Sequence, residues 1–311
     1  MQISEKTTAF IYPGQASQYV GMGSDLYEEY DSVKNLYSTA SELLGFDLAE
    51  LSFNGPIEKL TQTSVTQPAI FTHSYALTMI LQDNGYNPGY SAGHSLGEYS
   101  ALVAADSIGF IDALRVVKVR ANAMQKACDK NPGTMAAVIG MDLVRLERLC
   151  SKVGDGGSVR VANLNSPSQL VVSGTHDAVH EVMISAKENG AKIVKELNVS
   201  GAFHSSLMAS AVEELDESLR TTNISVPSFP VYTNFTALPL SDPDEIMNSL
   251  SKQITNPVKW YPTILNIAAQ GVTNFMEVGP GKVLQGLIKR IDKNLIASGI
   301  DSLDDLNGLL T

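Results

Sequence analysis

The chain has 311 residues, of which 44% are hydrophobic and 18% charged, so we expect a sizeable buried core. Its formal net charge of −11 argues against a general nucleic-acid binder, because such proteins present basic surfaces. Its two cysteines, Cys128 and Cys150, lack the spacing of a metal site. With no signal-peptide pattern and no apolar run of about 20 residues, we expect a cytoplasmic protein outside the membrane.

The first third of the chain alternates between strand and helix patterns. We predict a buried strand at 7–12, helices at 25–44 and 57–60, a long apolar helix at about 66–81, and a strand at 90–93. A polar loop from Gln15 to Gln18 directly follows the first strand. Loops at this end of parallel strands carry the chemistry in α/β proteins.

The segment after the second strand contains Gly93-His94-Ser95-Leu96-Gly97, which matches the Gly-x-Ser-x-Gly pattern of a nucleophile elbow. In that motif a serine sits on a sharp turn between a strand and a helix, and the glycines leave room for the turn. A helix-compatible run follows, and a further long helix is predicted at 109–130. The alternative is a glycine-rich turn with an idle serine.

Between residues 132 and 198 the pattern changes to shorter elements. We predict strands at 134–139, 159–163, 170–173 and 193–197, helices at 143–153 and 177–189, and turns at 154–157 and 165–167. This β-α-β-β-α-β order is that of a ferredoxin-like unit. The sequence therefore predicts a ferredoxin-like small subdomain, 132–198, inserted into a large subdomain formed by 1–131 and 199–311.

The chain after the insert returns to the rhythm of the large subdomain. We predict helices at 203–220, 244–254, 258–269 and 282–291, with strands at 231–234 and 272–278. The fold class is therefore α/β, with an α/β-hydrolase-like large subdomain built on a parallel sheet that carries the elbow.

A serine nucleophile needs a base, and the chain has five histidines. His94 adjoins Ser95, so its side chain is expected to point elsewhere, and His73 lies in an apolar helix pattern typical of the core. His204 lies where the chain leaves the insert and re-enters the large subdomain. It is the candidate base, with a capping or surface role as the alternative.

The remaining two histidines, His176 and His180, are four residues apart on a predicted helix. With Asp177 they nearly match the His-Glu-x-x-His pattern of zinc proteases. No convincing third ligand follows them, so we predict no metal site.

Six segments, in order over about residues 8–290, carry a resemblance to a known family. The chain resembles the malonyl-CoA:acyl carrier protein transacylases, which include the acyltransferase domains of polyketide synthases. The segments are Tyr12-Pro13-Gly14-Gln15-Ala16-Ser17-Gln18, Gly93-His94-Ser95-Leu96-Gly97-Glu98, the Arg120 helix, Phe203-His204-Ser205, Asn256-Pro257-Val258-Lys259-Trp260 and Glu277-Val278-Gly279-Pro280-Gly281.

The resemblance implies a ping-pong [acyl-carrier-protein] S-malonyltransferase. Ser95 would take the malonyl group from malonyl-CoA and pass it to the phosphopantetheine thiol of an acyl carrier protein, with His204 carrying the proton. The backbone N–H groups of Gln15 and Leu96 would form the oxyanion hole. The product would supply extender units for fatty acid or polyketide synthesis. No metal or cofactor is implied beyond the coenzyme A thioester, and we expect a monomer.

The same resemblance assigns the remaining site residues. Arg120 would bind the malonyl carboxylate, and Gln253 would orient His204 through its side chain or its backbone carbonyl. Phe203 would fill the space that a methylmalonyl branch needs, and Asn163 and Asn165 would line the cleft. The chain departs from the family at Ala16, where many members have glycine.

Acyl carrier proteins are usually acidic, and so is this chain. Docking would then need a local basic patch beside the cleft. The candidates lie on the last predicted helix and on the insert: Lys282, Lys289, Arg290, Lys293, Lys187, Lys192 and Lys195.

Two other functions stay open on the sequence. The first is a serine hydrolase, because Gly-x-Ser-x-Gly suits an esterase and Asp155-Gly156-Gly157 imitates a patatin-like lipase motif, although we interpret that segment as a turn. The second is a noncatalytic scaffold for carrier proteins that keeps the fold.

Overall fold

The computed structural model describes residues 5–154 and 157–310. The strands are Thr8–Tyr12 (β1), Tyr90–Gly93 (β2), Thr134–Ile139 (β3), Val159–Ser166 (β4), Gln169–Gly174 (β5), Ile193–Glu196 (β6), Val231–Tyr232 (β7), Pro239–Leu240 (β8), Asn274–Val278 (β9) and Ile296–Ile300 (β10).

The α-helices are Ser24–Glu29 (α1), Asp31–Leu44 (α2), Leu48–Phe53 (α3), Ile57–Leu60 (α4), Thr63–Asp83 (α5), Gly97–Ala104 (α6), Phe110–Lys130 (α7), Leu143–Val153 (α8), His176–Glu188 (α9), Val212–Arg220 (α10), Pro243–Gln253 (α11), Trp260–Ala268 (α12), Val283–Ile291 (α13) and Leu303–Leu310 (α14). Two short 3₁₀ helices, Glu5–Thr7 and Ser206–Ala211, complete the described elements.

The large sheet has the strand order β10-β9-β1-β2-β7-β8 and is parallel except for the β7–β8 hairpin at one edge. Its central strand β1 is buried along its whole length, which is the continuous apolar pattern of a parallel strand covered on both faces. Tyr12 pairs with Gly93 at the carboxyl ends of β1 and β2. The loop after β1 and the elbow after β2 therefore meet at one edge of the sheet, as predicted.

Two 21-residue helices, α5 and α7, pack against each other beside this sheet. Helix α5 begins at Thr63 rather than near 66, so Pro68 lies inside it. The predicted start was wrong because burial of Thr63 and Val65 holds a first turn ahead of the proline. Within the described residues, no helix is both long and apolar enough to cross a membrane.

The small sheet is antiparallel, with the order β4-β5-β3-β6, and α8 and α9 cover one face of it. This is the predicted ferredoxin-like arrangement, and it has its own apolar core around Val138, Val172 and Val179. All its elements lie inside the range 132–198. The limits of that range as a separate folding unit stay a prediction.

The predicted turn at 165–167 was wrong. Strand β4 continues to Ser166, which pairs with Gln169, and only two residues form the turn. Register shifts between Val161 and Asn163, and between Leu164 and Ser166, let the strand continue past the polar asparagines. The predicted turn at 154–157 includes Asp155 and Gly156, which lie outside the described residues.

The helix predicted at 203–220 is split. A 3₁₀ helix, Ser206–Ala211, precedes α10, because His204 has a left-handed φ of 58° and Ser205 caps the turn that follows. The pattern also missed β10 and α14. Strand β10 is an edge strand whose residues are mostly half-exposed, so it lacks the apolar run of β1.

Candidate active site

Ser95 lies on a sharp turn between β2 and α6, with a left-handed φ of 53°. A Cβ on Gly93 would overlap the Gly97 backbone, and a Cβ on Gly97 would overlap the Tyr12 carbonyl. Both glycines of the motif are therefore required by close backbone approach. Ser95 faces a cavity of about 730 Å³ that is lined from both subdomains.

His204 is the partner of Ser95. The Ser95 Oγ lies 2.9 Å from His204 Nε2, and His204 Nδ1 lies 2.8 Å from the Gln253 backbone carbonyl. Because a carbonyl only accepts, Nδ1 carries the proton and Nε2 is left to accept the hydroxyl proton. The orienting group of Gln253 is thus its carbonyl, one of the two options that the sequence left open.

Burial sets the protonation state of His204. The side chain is almost fully buried, and this desolvation lowers its pKa to about 3. The Gln253 carbonyl opposes the shift, and the positive charges of Arg120 and Arg160 add to it. His204 is therefore neutral at pH 7, which is the form a general base needs.

Arg120 lies on α7 with 1% of its surface exposed. Its Nη2 donates to Ser95 Oγ at 3.0 Å and to Gln253 Oε1 at 2.9 Å, and its Nη1 donates to Gln67 Oε1 at 2.6 Å. The guanidinium also lies 5.6 Å from the centre of the Tyr99 ring. Within the described chain, no carboxylate forms a direct ion pair with it. A buried cation beside the nucleophile is therefore available to a carboxylate of the substrate.

The predicted oxyanion hole lies at the meeting point of the two loops. In the described residues, neither the Gln15 nor the Leu96 N–H has an intramolecular acceptor. Both residues are close to the cavity: Gln15 lines it, and Leu96 follows Ser95 at the start of α6. Ala16 has a φ of 78°, a conformation that explains why glycine suits this position.

The insert side of the cavity carries the predicted asparagines. Asn163 lines the cavity, and Asn165 Oδ1 accepts a hydrogen bond from His94 Nε2 at 2.8 Å. The His94 ring also lies 5.5 Å from the ring of Trp260. Phe203 lines the same cavity and is 6% exposed.

The other histidines lie elsewhere. His73 is fully buried, as predicted, and its Nε2 lies 2.9 Å from Asp301 Oδ1. His176 and His180 line a separate cavity on the insert. In the part of the chain that the structure describes, no three His, Cys, Asp or Glu side chains form a group that could hold a metal. Asp155 of the lipase-like motif lies outside the described residues.

Three residues of the site were missed by the sequence analysis. Gln67 links Arg120 to Gln15, since its Nε2 donates to Gln15 Oε1 at 3.1 Å. Asn234 Oδ1 accepts a hydrogen bond from the Ser95 N–H, and Glu98 Oε2 accepts one from the Asn234 N–H. Glu98 lies inside the quoted motif, and Asn234 directly follows a strand on the carboxyl side of the sheet, a position that could have drawn attention to it.

An elbow serine paired with a buried histidine, at a cavity between a parallel sheet and a ferredoxin-like subdomain, is a site for acyl transfer through serine. A family profile described as the acyl transferase domain matches residues 9–301. Within that class, the chain belongs to the family of malonyl CoA-acyl carrier protein transacylases, because curated members with this name align along nearly its whole length.

Two curated relatives illustrate the match. The malonyl CoA-acyl carrier protein transacylase of Bacillus subtilis (strain 168) is 44% identical over 92% of this chain and 91% of its own. The corresponding protein of Escherichia coli (strain K12) is 42% identical over 94% of this chain and 95% of its own.

Solved structures agree with the sequence matches. The acyl carrier protein S-malonyltransferase of Vibrio cholerae O1 superposes with a TM-score of 0.94 at 40% identity, covering 97% of this chain and 99% of that one. A malonyl-transacylase in complex with a type II PKS acyl-carrier protein superposes with a TM-score of 0.94 at 39% identity, covering 98% and 99%.

Proposed function

We propose that this chain transfers the malonyl group of malonyl-CoA to the phosphopantetheine thiol of an acyl carrier protein, through a malonyl ester on Ser95. The observation that carries the proposal is the Arg120 guanidinium, which is buried and lies 3.0 Å from Ser95 Oγ. An acyl group that ends in a carboxylate supplies the anion that this cation lacks. An acetyl group does not.

The first half-reaction loads the serine. Ser95 Oγ attacks the thioester carbonyl while His204 Nε2 takes its proton, and the N–H groups of Leu96 and Gln15 stabilise the oxyanion. The C–S bond then breaks, and the coenzyme A sulfur leaves with the proton from His204. Arg120 holds the malonyl carboxylate, which fixes the thioester beside Ser95.

The second half-reaction empties the serine. The pantetheine thiol gives its proton to His204 and attacks the ester carbonyl, and the Ser95 oxygen leaves and recovers the proton. Phe203 and the asparagines Asn163 and Asn165 shape the pocket around the acyl group. Phe203 occupies the volume that the methyl branch of a methylmalonyl group needs. It therefore favours malonyl over methylmalonyl by about 1–3 kcal/mol.

The setting of this reaction is part of the proposal. The chain acts as a cytoplasmic monomer without a metal or cofactor. Its product, the malonyl carrier protein, supplies extender units for fatty acid or polyketide synthesis. The groups that move protons and hold charge in both half-reactions are side chains and backbone N–H groups of the chain itself. The two cysteines are free and buried, which suits a reducing compartment.

The test is the intact mass of the protein after mixing with malonyl-CoA, methylmalonyl-CoA or acetyl-CoA, with Ser95→Ala as the control. We expect a malonyl adduct that is absent in the control and is released by a carrier protein in its phosphopantetheine form. Rapid hydrolysis without transfer would instead indicate a serine hydrolase. The absence of any adduct would indicate a noncatalytic scaffold.

A further inference from the structure

Glu98 is a buried carboxyl group that the proposed reaction does not use. It lies on α6 and is completely buried. Its Oε2 accepts two hydrogen bonds, from the Asn234 backbone N–H at 2.9 Å and from Gln253 Nε2 at 2.8 Å. Its Oε1 has no partner among the described residues. Burying a carboxyl group with one unpaired oxygen costs desolvation free energy, so its two hydrogen bonds must serve a purpose that outweighs this cost.

Both partners of Glu98 also hold the backbone of Ser95. The Ser95 N–H donates to Asn234 Oδ1 at 2.6 Å, and the Ser95 carbonyl accepts from Gln253 Nε2 at 3.0 Å. The peptide groups on both sides of the Ser95 Cα are thus fixed by two amide side chains. Both of those residues are fixed in turn by one oxygen of Glu98.

This clamp acts on a strained residue. The φ of 53° at Ser95 is in the left-handed region, which is unfavourable for a residue with a Cβ, so the surroundings must hold it. The clamp also orients Gln253, because its NH₂ group faces two oxygens that only accept. Its Oε1 therefore faces Arg120 Nη2.

We propose that Glu98 is a positioning residue, whose Oε2 holds the Ser95 nucleophile in its strained conformation through Asn234 and Gln253. The proposal deepens the proposed function, because it rests on acylation at Ser95. It assigns the effect to the position of one accepting oxygen and not to the charge of the carboxylate.

The distinction between oxygen and charge follows from the chemistry of the group. Burial raises the pKa of Glu98 to about 7, against the hydrogen bonds from Asn234 and Gln253 and the charge of Arg120. Within the described chain, the charged and titratable groups that act on Glu98 or feel its charge are Arg120 on α7 and Tyr99 on α6. When Oε1 carries the proton, Oε2 still accepts both N–H groups. Positioning therefore survives protonation.

Two conservative variants separate oxygen from charge. Glu98→Gln keeps an accepting oxygen at the right reach without the charge, whereas Glu98→Asp keeps the charge but withdraws the oxygen by one methylene. The readout is the rate at which phenylmethylsulfonyl fluoride modifies Ser95. In this reaction the sulfonyl group bonds to Ser95 Oγ, fluoride leaves, and His204 takes the hydroxyl proton. This probe needs neither a malonyl group nor a carrier protein.

We expect Glu98→Asp to slow the modification about 100-fold, the effect of a misplaced reacting atom, and Glu98→Gln to stay within about tenfold of the unmodified chain. Loading from malonyl-CoA and from acetyl-CoA should fall by the same factor in kcat, with little change in KM. The matched control is Glu277→Gln, which alters a second buried carboxyl group that bonds to α13 and not to Ser95, Asn234 or Gln253. Its modification rate should be unchanged.

Two results would overturn the proposal. One is a folded Glu98→Asp variant that reacts at the full rate. The other is a Glu98→Gln variant that is as slow as Glu98→Asp, because the charge would then be the active feature. A chain that reacts with the sulfonyl fluoride in a Glu98-dependent way but never transfers malonyl would refute the proposed function and support this inference.

Discussion

Arg120 holds a positive charge where little water reaches it. Its hydrogen-bond partners are the neutral groups of Gln67, Gln253 and Ser95, and burial lowers its pKa. A guanidinium in this setting gains more from an incoming carboxylate than one in water, because the surroundings screen the attraction weakly. The same contacts hold its planar fork in one orientation, which suits bidentate binding.

Arg120→Lys tests this recognition. Lysine keeps the charge but cannot contact Gln67, Gln253 and a carboxylate from one plane. We expect kcat/KM for loading from malonyl-CoA to fall by about 10- to 100-fold, the value of a lost charge-assisted hydrogen bond of about 1.5–3 kcal/mol.

Acetyl-CoA is the matched control substrate in the same assay, since it lacks the carboxylate. Its loading should change little, so the preference for malonyl should shrink. Equal losses for both substrates would mean that Arg120 serves the reaction centre and not the carboxylate.

Three sequence signals predicted site residues: the elbow motif indicated Ser95, the need for a base indicated His204, and the family resemblance assigned Arg120. They missed residues that act only through contacts, such as Asn234, which is 139 residues from Ser95, and Gln67, which is 53 residues from Arg120. An asparagine or glutamine has no pattern of its own in a sequence. Its role comes from the groups that the fold brings to it.

At the scale of elements, the start of α13 depends on a buried carboxyl group. Glu277 lies on β9, and its two oxygens accept hydrogen bonds from the N–H groups of Leu284 and Gln285 at the start of α13. These N–H groups have no partner within the helix, so the carboxyl group caps it. Burial nevertheless raises the pKa of Glu277 to about 7, because it outweighs those hydrogen bonds.

This shift predicts a pH dependence of stability. The folded pKa of about 7 lies above the ordinary value of 4.5, so the folded state binds the proton more tightly. The resulting stability is complete below pH 4.5 and is lost as the pH rises to 7. The loss amounts to about 3 kcal/mol at most.

Glu277→Gln removes this titration along with one of the two accepting oxygens. We expect the variant to be less stable at pH 5 and to recover relative to the unmodified chain by pH 8, as measured by urea unfolding at each pH. Glu217→Gln, on the exposed face of α10, controls for the loss of one charge. A difference that stays constant with pH would contradict the prediction.

Some elements were predictable from local signals in the sequence. Strand β1 and helices α7 and α8 were predicted closely, because β1 is buried throughout, α7 carries a buried apolar face, and Asp142 caps the start of α8. The edge strand β10 and the split at Ser206–Ala211 were not, because their geometry is imposed by neighbours that lie far away along the chain.

At the scale of the whole molecule, the cavity lies between two subdomains in a strongly acidic protein. Two basic residues, Lys282 and Arg290, line this cavity. Arg290 Nη1 also donates a hydrogen bond to Gln169 Oε1 on the insert at 2.9 Å. A local positive patch in a chain of net charge −11 favours an acidic partner at this place.

The double variant Lys282→Glu/Arg290→Glu tests this patch. We expect kcat/KM for the carrier protein to fall about tenfold, with the deficit shrinking as salt is added, because like charges would then meet at the interface. Loading from S-malonyl-N-acetylcysteamine, which lacks the phosphates of coenzyme A, should stay unchanged.

Lys34→Glu reverses a charge in an exposed ion pair with Asp31 on α2 and should have no effect on the carrier protein reaction. Unchanged kinetics of the double variant would remove the patch from the docking surface.

The spacing of Ser95 and His204 has a consequence for biosynthesis. The serine is made 109 residues before its histidine, and the carbonyl that orients the histidine follows 49 residues later. The whole small subdomain is translated in between. A ribosome-bound chain that ends before Gln253 therefore has an elbow serine without an oriented base. We expect Ser95 to stay a poor nucleophile towards thioesters until the segment that includes Gln253 has been made and folded.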